Sequence, residues 1–212
     1  MSEAEAGLRT GDDGVARCWW CGDDPLYRAY HDHEWGRPTT DERYLYEKLC
    51  LEGFQAGLSW ITVLRKRQAF REAFENFEAE AVARFTMRRV EHLLKNPAII
   101  RHRGKIESVI NNARRTIQTA EDFGSLAAFL WRFEPHPNDR PRRIDRETFR
   151  TLTRTEASVA LSRAMKQRGF TFVGPTTLYA YMQSIGLVND HVTGCVIGRQ
   201  VEGVRAGFLR PN

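Results

Sequence analysis

Apolar positions recur along most of the chain at intervals of three and four, the spacing of an amphipathic helix. No stretch alternates over a length that would make a useful strand, and there is no internal repeat. The clearest stripe is Ile106, Val109, Ile110, Ala113 and Ile117, which predicts a helix over about 105–119. The same pattern predicts a helix from a Thr39/Glu42 capping box to about Gly53, and one from a Ser59 cap to about Phe74. Thr86 opens a further helix that ends before Asn96-Pro97, and Ser125 starts a short one to Phe133. Thr155 caps a helix ending near Arg168-Gly169, and Pro175 stands at the first position of another that runs to Ser184 or Gly186. Residues 134–154 interrupt the pattern with three prolines and read as a mobile surface loop. The predicted fold class is all-α. The expected organisation is a flexible acidic tail over 1–16, a single α-helical domain over 17–202 and a C-terminal tail over 203–212.

Length and charge narrow this picture. A chain of 212 residues is long enough for one domain with a real core, or for two small lobes. No apolar run approaches the roughly 18 residues of a membrane span, and residues 1–16 lack the basic-then-apolar order of a secretory signal. A cytoplasmic, nucleoid-associated protein is therefore expected. The net charge of +5 is uneven: residues 1–16 carry −3, which leaves +8 on the remainder. That excess sits in small clusters, Arg65-Lys66-Arg67, Arg101 to Lys105 and Arg140 to Arg143. Such clusters suit a face that meets a polyanion backbone as well as they suit an ordinary solvated surface.

Four groups of residues carry candidate chemistry. Leu45, Leu49, Glu52 and Ala56 share one helix face, so Glu52 falls where an apolar residue belongs. A carboxylate there is costly without a partner; it lines a cavity, or it sits at the rim paired with an arginine. Gly53, Gly57 and Ser59 follow as a tight turn, with Trp60 available as a stacking wall. Glu47 and Lys48 read as the polar side of the same helix, although Lys48 precedes Glu52 by four residues. Trp20, Tyr27 and Tyr30 form an aromatic cluster that either stacks a flat ring or fills a core corner. Cys18, Cys21, His31, His33, His191 and Cys195 are candidate metal ligands. The CxxC pair and the i, i+4 pair His191/Cys195, suited to one helical turn, stand at opposite ends of the chain. Finally, Arg168 to Gly174 joins two helices by a tight connection, which either offers backbone N–H groups to a phosphate or is an ordinary turn.

These segments resemble 3-methyladenine DNA glycosylase I, a family within the helix-hairpin-helix glycosylases. The resemblance rests on Asp24-Pro25-Leu26-Tyr27, Tyr30-His31-Asp32, Glu34-Trp35-Gly36, Leu51-Glu52-Gly53, Gln55 to Leu64, Ile99 to Lys105, Lys166 to Gly174 and Gly186 to His191. It covers about 17–198, broken mainly at 134–154. It implies a structural zinc, one per chain, held by Cys18, His31, His191 and Cys195 and tying the two ends of the chain together; His31 thus replaces Cys21. It implies Glu52 as the catalytic, base-binding carboxylate, with Trp20, Tyr27, Tyr30 and Trp60 around the base. The expected DNA contacts are Leu58, Arg168, Gly169, Phe172, Val173 and Gly174, although a glycine is usual where Phe172 stands. Asp190, the acid nearest the hairpin, is not expected to act as a general base.

The implied activity is base excision repair: binding duplex DNA that contains 3-methyladenine, flipping that base and hydrolysing its glycosidic bond. No lysine follows Lys166, so a monofunctional monomer without strand-cleaving lyase chemistry is expected. The rival reading is a zinc-stapled helical module that binds DNA or RNA without catalysis, in which Glu52 is merely structural.

Overall fold

The computed structural model describes residues 2–211. In chain order it places α1 (Glu3–Ala6), β1 (Leu8–Thr10), β2 (Ala16–Cys18), α2 (Pro25–His33), α3 (Glu42–Gln55), α4 (Trp60–Arg65), α5 (Arg67–Ala73), α6 (Ala79–Val82) and α7 (Met87–Leu93). There follow α8 (Arg103–Phe123), α9 (Leu126–Trp131), α10 (Arg146–Thr151), α11 (Glu156–Gln167), α12 (Pro175–Ser184) and α13 (Val196–Ala206). The protein is mostly helical, as the periodicity predicts. No described helix is long and apolar enough to cross a membrane.

α3 is the axis of the molecule. It packs against α4, α8, α9 and α12, and every residue from Leu45 to Phe54 is buried. Leu45 and Leu49 join one apolar cluster with Leu126, Leu130, Leu161, Leu178 and Met182. Tyr46, Cys50, Leu51 and Phe54 join a second with Val63, Phe70, Ile106, Val109 and Ala113. A helix wrapped on all sides has no polar face. This corrects the reading of Glu47 and Lys48 as solvent-facing: they are 1% and 0% exposed.

Other differences have local causes. α3 is capped by Asp41, whose carboxylate accepts the Tyr44 N–H at 2.9 Å, and not by a Thr39/Glu42 box. Glu42 instead reaches across to accept the N–H groups of Leu126 and Ala127 at the start of α9, at 2.7 and 2.9 Å. The Ser59 helix breaks at Lys66 into α4 and α5. Residues 1–16, expected to be a tail, contain α1 and β1, and β1 pairs antiparallel with β2 in register Leu8–Cys18. Three-residue strands are too short to show alternation. Within 134–154, α10 forms behind an Asp145 cap, and Ile144 is buried. Arg140 forms an ion pair with the buried Asp190 and donates to Tyr179 Oη at 2.9 Å. α13 runs through Ala206, past the expected boundary at 202. Arg205 and Arg210 then pair with Glu134 at 2.6 and 2.9 Å.

Candidate functional site

Glu52 lies on α3 with Leu45 and Leu49 on the same face, and it is 3% exposed. Its Oε1 stands 3.7 Å from Lys48 Nζ, while its Oε2 is buried with no hydrogen-bond partner. Burial pushes the carboxyl above its ordinary range; the Lys48 charge and the Ser184 hydroxyl pull it back. Lys48 Nζ donates to Tyr30 Oη at 2.9 Å and lies 4.6 Å from the Tyr30 ring centre and 3.9 Å from that of Trp60. Tyr30 and Trp60 are in ring contact at 5.2 Å. Trp20 and Tyr27, both half-buried, form a second aromatic pair at 5.2 Å. Burial, then the Cys21 and Glu52 charges, push the Tyr27 hydroxyl up to about 12. The Nε1 groups of Trp20 and Trp60 are buried without partners. The expected acid is thus buried beside Lys48, which touches Tyr30 and Trp60, with Tyr27 within reach of its charge and Trp20 against Tyr27; the group holds two unmet donors and one unmet acceptor. Lys48, one of the residues the sequence reading set aside, belongs to it; its position three after Leu45 and four before Glu52 was the available signal.

Cys18, His31 and Cys195 converge with their ligand atoms all within 4.8 Å of one another, a group that can hold a metal ion. Cys21 turns away and donates its thiol to Cys18 O, and His33 is not in the cluster. His31 Nδ1 meets Asp32 Oδ1 at 2.8 Å, which leaves Nε2 facing Cys195 Sγ at 3.7 Å. The hydrogen bond from Cys18 holds the Cys195 thiol below its ordinary range, against the effect of burial and with help from the neighbouring His31. His191 stands outside the tight trio. Its Nδ1 contacts Asn189 Oδ1 at 2.8 Å, its Nε2 is buried and unpartnered, and its ring lies 4.9 Å from that of His31. His191 and Cys195 share a loop before α13 and not a helical turn, which corrects the spacing argument. Gly198 permits this arrangement: a Cβ there would fall 2.6 Å from His191 Cβ.

The connection between α11 and α12 is a tight turn. Gly169 has φ +83° and Phe172 φ +57°, so Phe172 adopts the left-handed backbone that a glycine would favour. Its side chain is 38% exposed, as is that of Leu58 in the Gly57 turn, at 42%. Gly53, beside Glu52, lies against Phe172, its notional Cβ 3.5 Å from Phe172 Cβ, so the hairpin abuts the pocket. Gly174 caps α12 without any side-chain acceptor at its N-terminus. Val173 is buried, and its carbonyl accepts from Ser162 at 2.6 Å. Arg168 is turned inward: its Nε donates to Thr119 Oγ1 at 2.9 Å, and it pairs with Asp122. Lys105, expected to be solvated or phosphate-facing, is buried and donates to Phe54 O and Ala56 O at 2.9 and 2.6 Å. Asn111 and Asn112 of α8 hold the hairpin through Gly169 O, Thr171 N and Thr171 O, at 2.9 to 3.0 Å. An asparagine beside the stripe of Val109 and Ala113 was the overlooked sign.

The methyladenine glycosylase family model matches residues 20–198. The chain is 50% identical over 182 residues to DNA-3-methyladenine glycosylase 1 of Escherichia coli K12, covering 85% of this chain and 96% of that one. It is 46% identical over 182 residues to DNA-3-methyladenine glycosylase of Haemophilus influenzae, covering 85% and 97%. A solved structure of 3-methyladenine DNA glycosylase I from Staphylococcus aureus, concerned with 3-methyladenine recognition, superimposes with a TM-score of 0.78 at 35% identity, covering 86% and 96%. With the model covering 179 of the 212 residues, Glu52 and the α11–α12 connection among them, and with a relative 50% identical over 182 residues, the chain belongs to the methyladenine glycosylase family.

Proposed function

We infer that the chain is a DNA-3-methyladenine glycosylase of base excision repair, a hydrolase that releases 3-methyladenine from alkylated duplex DNA and leaves an abasic site. The observation that carries this reading is the Glu52 carboxylate, buried with one oxygen unpartnered and close to Tyr27, Tyr30 and the Lys48–Trp60 contact, in a chain whose relatives are named for this base. A simple binding module needs no buried acceptor beside aromatic faces.

The chemistry asks little of the protein. N3-methylation makes the nucleoside base cationic. When its bond to the sugar C1′ breaks, the electron pair stays with the base and neutralises the ring; water forms the new C1′–O bond and gives up a proton to solvent. Glu52 accepts N–H groups of the flipped base, and its charge favours a cationic ring over neutral adenine. Each aromatic face adds about 0.5–2 kcal/mol of cation–π attraction. Strand scission requires an amine able to reach the sugar. α12 has no lysine, and Lys48 is enclosed under Tyr30 and Trp60, so the strand stays intact. For the DNA face we propose Leu58, Phe172 and the backbone of Gly169 and Gly174, the α11–α12 connection acting as a helix-hairpin-helix element; Arg168 and the Val173 side chain are engaged within the protein. The enzyme would act as a monomer where the cell's DNA is.

For the metal we propose one structural zinc, with His191 completing Cys18, His31 and Cys195. Support comes from the two-sulfur, two-nitrogen donor set and from the orphaned His191 Nε2. Burial pushes that imidazole down to about 3, so it is neutral and able to ligate. Four protein ligands leave no position for water, and the ion would tie the strand β2 to the segment before α13.

The test is base release from methylated duplex DNA, with purines separated by chromatography and strands run on a denaturing gel. The wild type should release 3-methyladenine without nicking. Glu52→Gln should keep its melting temperature and lose activity at least about tenfold. A Glu52→Gln variant of full activity would remove Glu52 from the pocket role.

A further inference from the structure

A lysine amine enclosed in a protein core costs several kcal/mol unless something compensates, and Lys48 is 0% exposed. Its surroundings show what it does there. Lys48 Nζ donates to Tyr30 Oη, lies over the Trp60 ring and faces Glu52 Oε1. The other acids near it are taken: Glu47 is held by Arg67 and Arg71, and Glu34 by Arg67 at 2.6 Å. Glu52 is the acid of this group without an arginine, and Lys48 is its only ion-pair partner among the described residues.

We propose that Lys48 is a positioning residue for base excision: its ammonium keeps the Glu52 carboxylate ionised and draws Oε1 toward itself, leaving Oε2 free for the base. The proposal rests on Glu52 being the base acceptor. A protonated Glu52 would offer a donor where the base presents N–H donors, and it would lose its preference for a cation.

The sign follows from the neighbours. Burial raises the Glu52 pKa, and the Lys48 charge lowers it; without that charge the carboxyl stays protonated to higher pH. Burial likewise lowers Lys48, to about 8. It is therefore charged through the acidic and neutral range in which Glu52 needs it. Tyr27, Tyr30 and Tyr181, which also face Glu52, are pushed up by burial and remain neutral throughout.

Single-turnover release of 3-methyladenine from alkylated duplex DNA, followed from about pH 5 to 9, tests this in the wild type, Lys48→Met, Lys48→Arg and Glu52→Gln. Lys48→Met should move the acid limb up by about one unit. It should be roughly tenfold slower than the wild type on the acid side and approach it toward the alkaline end of the range. Lys48→Arg should restore the limb. Lys48→Gln, which keeps a donor toward Tyr30 Oη and loses the charge, should show the same shift and carries the test if the Met variant does not fold. A limb that does not move, or a loss equal at every pH, overturns the proposal. Glu52→Gln separates the two readings. If it is slow while the Lys48→Met limb stays in place, only the Lys48 role fails; if it is as fast as the wild type, Glu52 is not the acceptor.

Discussion

Phe172 shows how much can turn on one backbone angle. Its φ of +57° costs an L side chain roughly 1 kcal/mol, and the ring is one of the larger exposed apolar surfaces of the protein. Strain kept alongside exposure points to use by a partner. Phe172→Gly should therefore hold or slightly raise the melting temperature while weakening binding to duplex DNA several-fold, read by fluorescence anisotropy. A variant that melts much lower and binds DNA unchanged would make Phe172 a packing residue. The family resemblance singles out this position by its departure from glycine and also places Arg168 among the DNA contacts. Arg168 instead stands over Phe123 and Phe129 and pairs with Asp122. Nothing local to Arg168 says which way a long side chain turns.

Among the elements, α3 carries both the core and the site, and its setting depends on α9. Glu42 caps α9 from a distance, accepting the N–H groups of Leu126 and Ala127. A charge-assisted cap at a helix N-terminus is worth about 1–2 kcal/mol. Glu42→Ala should lower the melting temperature by roughly 2–6 °C in a chain of this size, measurable by circular dichroism, with base release at lower temperature unchanged. An unchanged melting temperature would mean that the contact contributes nothing. Helix starts such as Thr86, Ser125, Thr155 and Pro175 were legible because caps and prolines act within one turn. The Thr39/Glu42 box was misassigned because the same residue types serve local and distant caps equally well.

At the scale of the whole molecule, the cysteine–histidine cluster joins β2 and α2 to the loop before α13, across about 170 residues of chain by the loop-closure view of such a tie. On the proposed structural role of a metal there, a chelator should lower the melting temperature sharply, and activity should fall only as the fold is lost. Loss of activity with an unchanged melting curve would assign the ion to the chemistry instead. The N-terminal segment is also held by the backbone ladder of β1 and β2, and the C-terminal segment by the pairs of Arg205 and Arg210 with Glu134. The 134–154 segment is fastened to Asp190 by Arg140.

By itself, the sequence pattern determined the helical class and most helix starts and put Glu52 on the face of Leu45 and Leu49, while the residues of the base site and of the cysteine–histidine cluster came from the family resemblance. The helical class, the helix starts and the face of Glu52 follow from spacing within a turn or two, where backbone geometry leaves few choices. Only the tertiary structure decided that α3 is enclosed on every side and that Lys48 stands beside Glu52. It likewise decided that Lys105 and Arg168 turn inward, and that His191 and Cys195 meet His31 from a loop. Those outcomes depend on which elements pack against which, and long charged side chains commit to a partner only after that packing has removed the water around them.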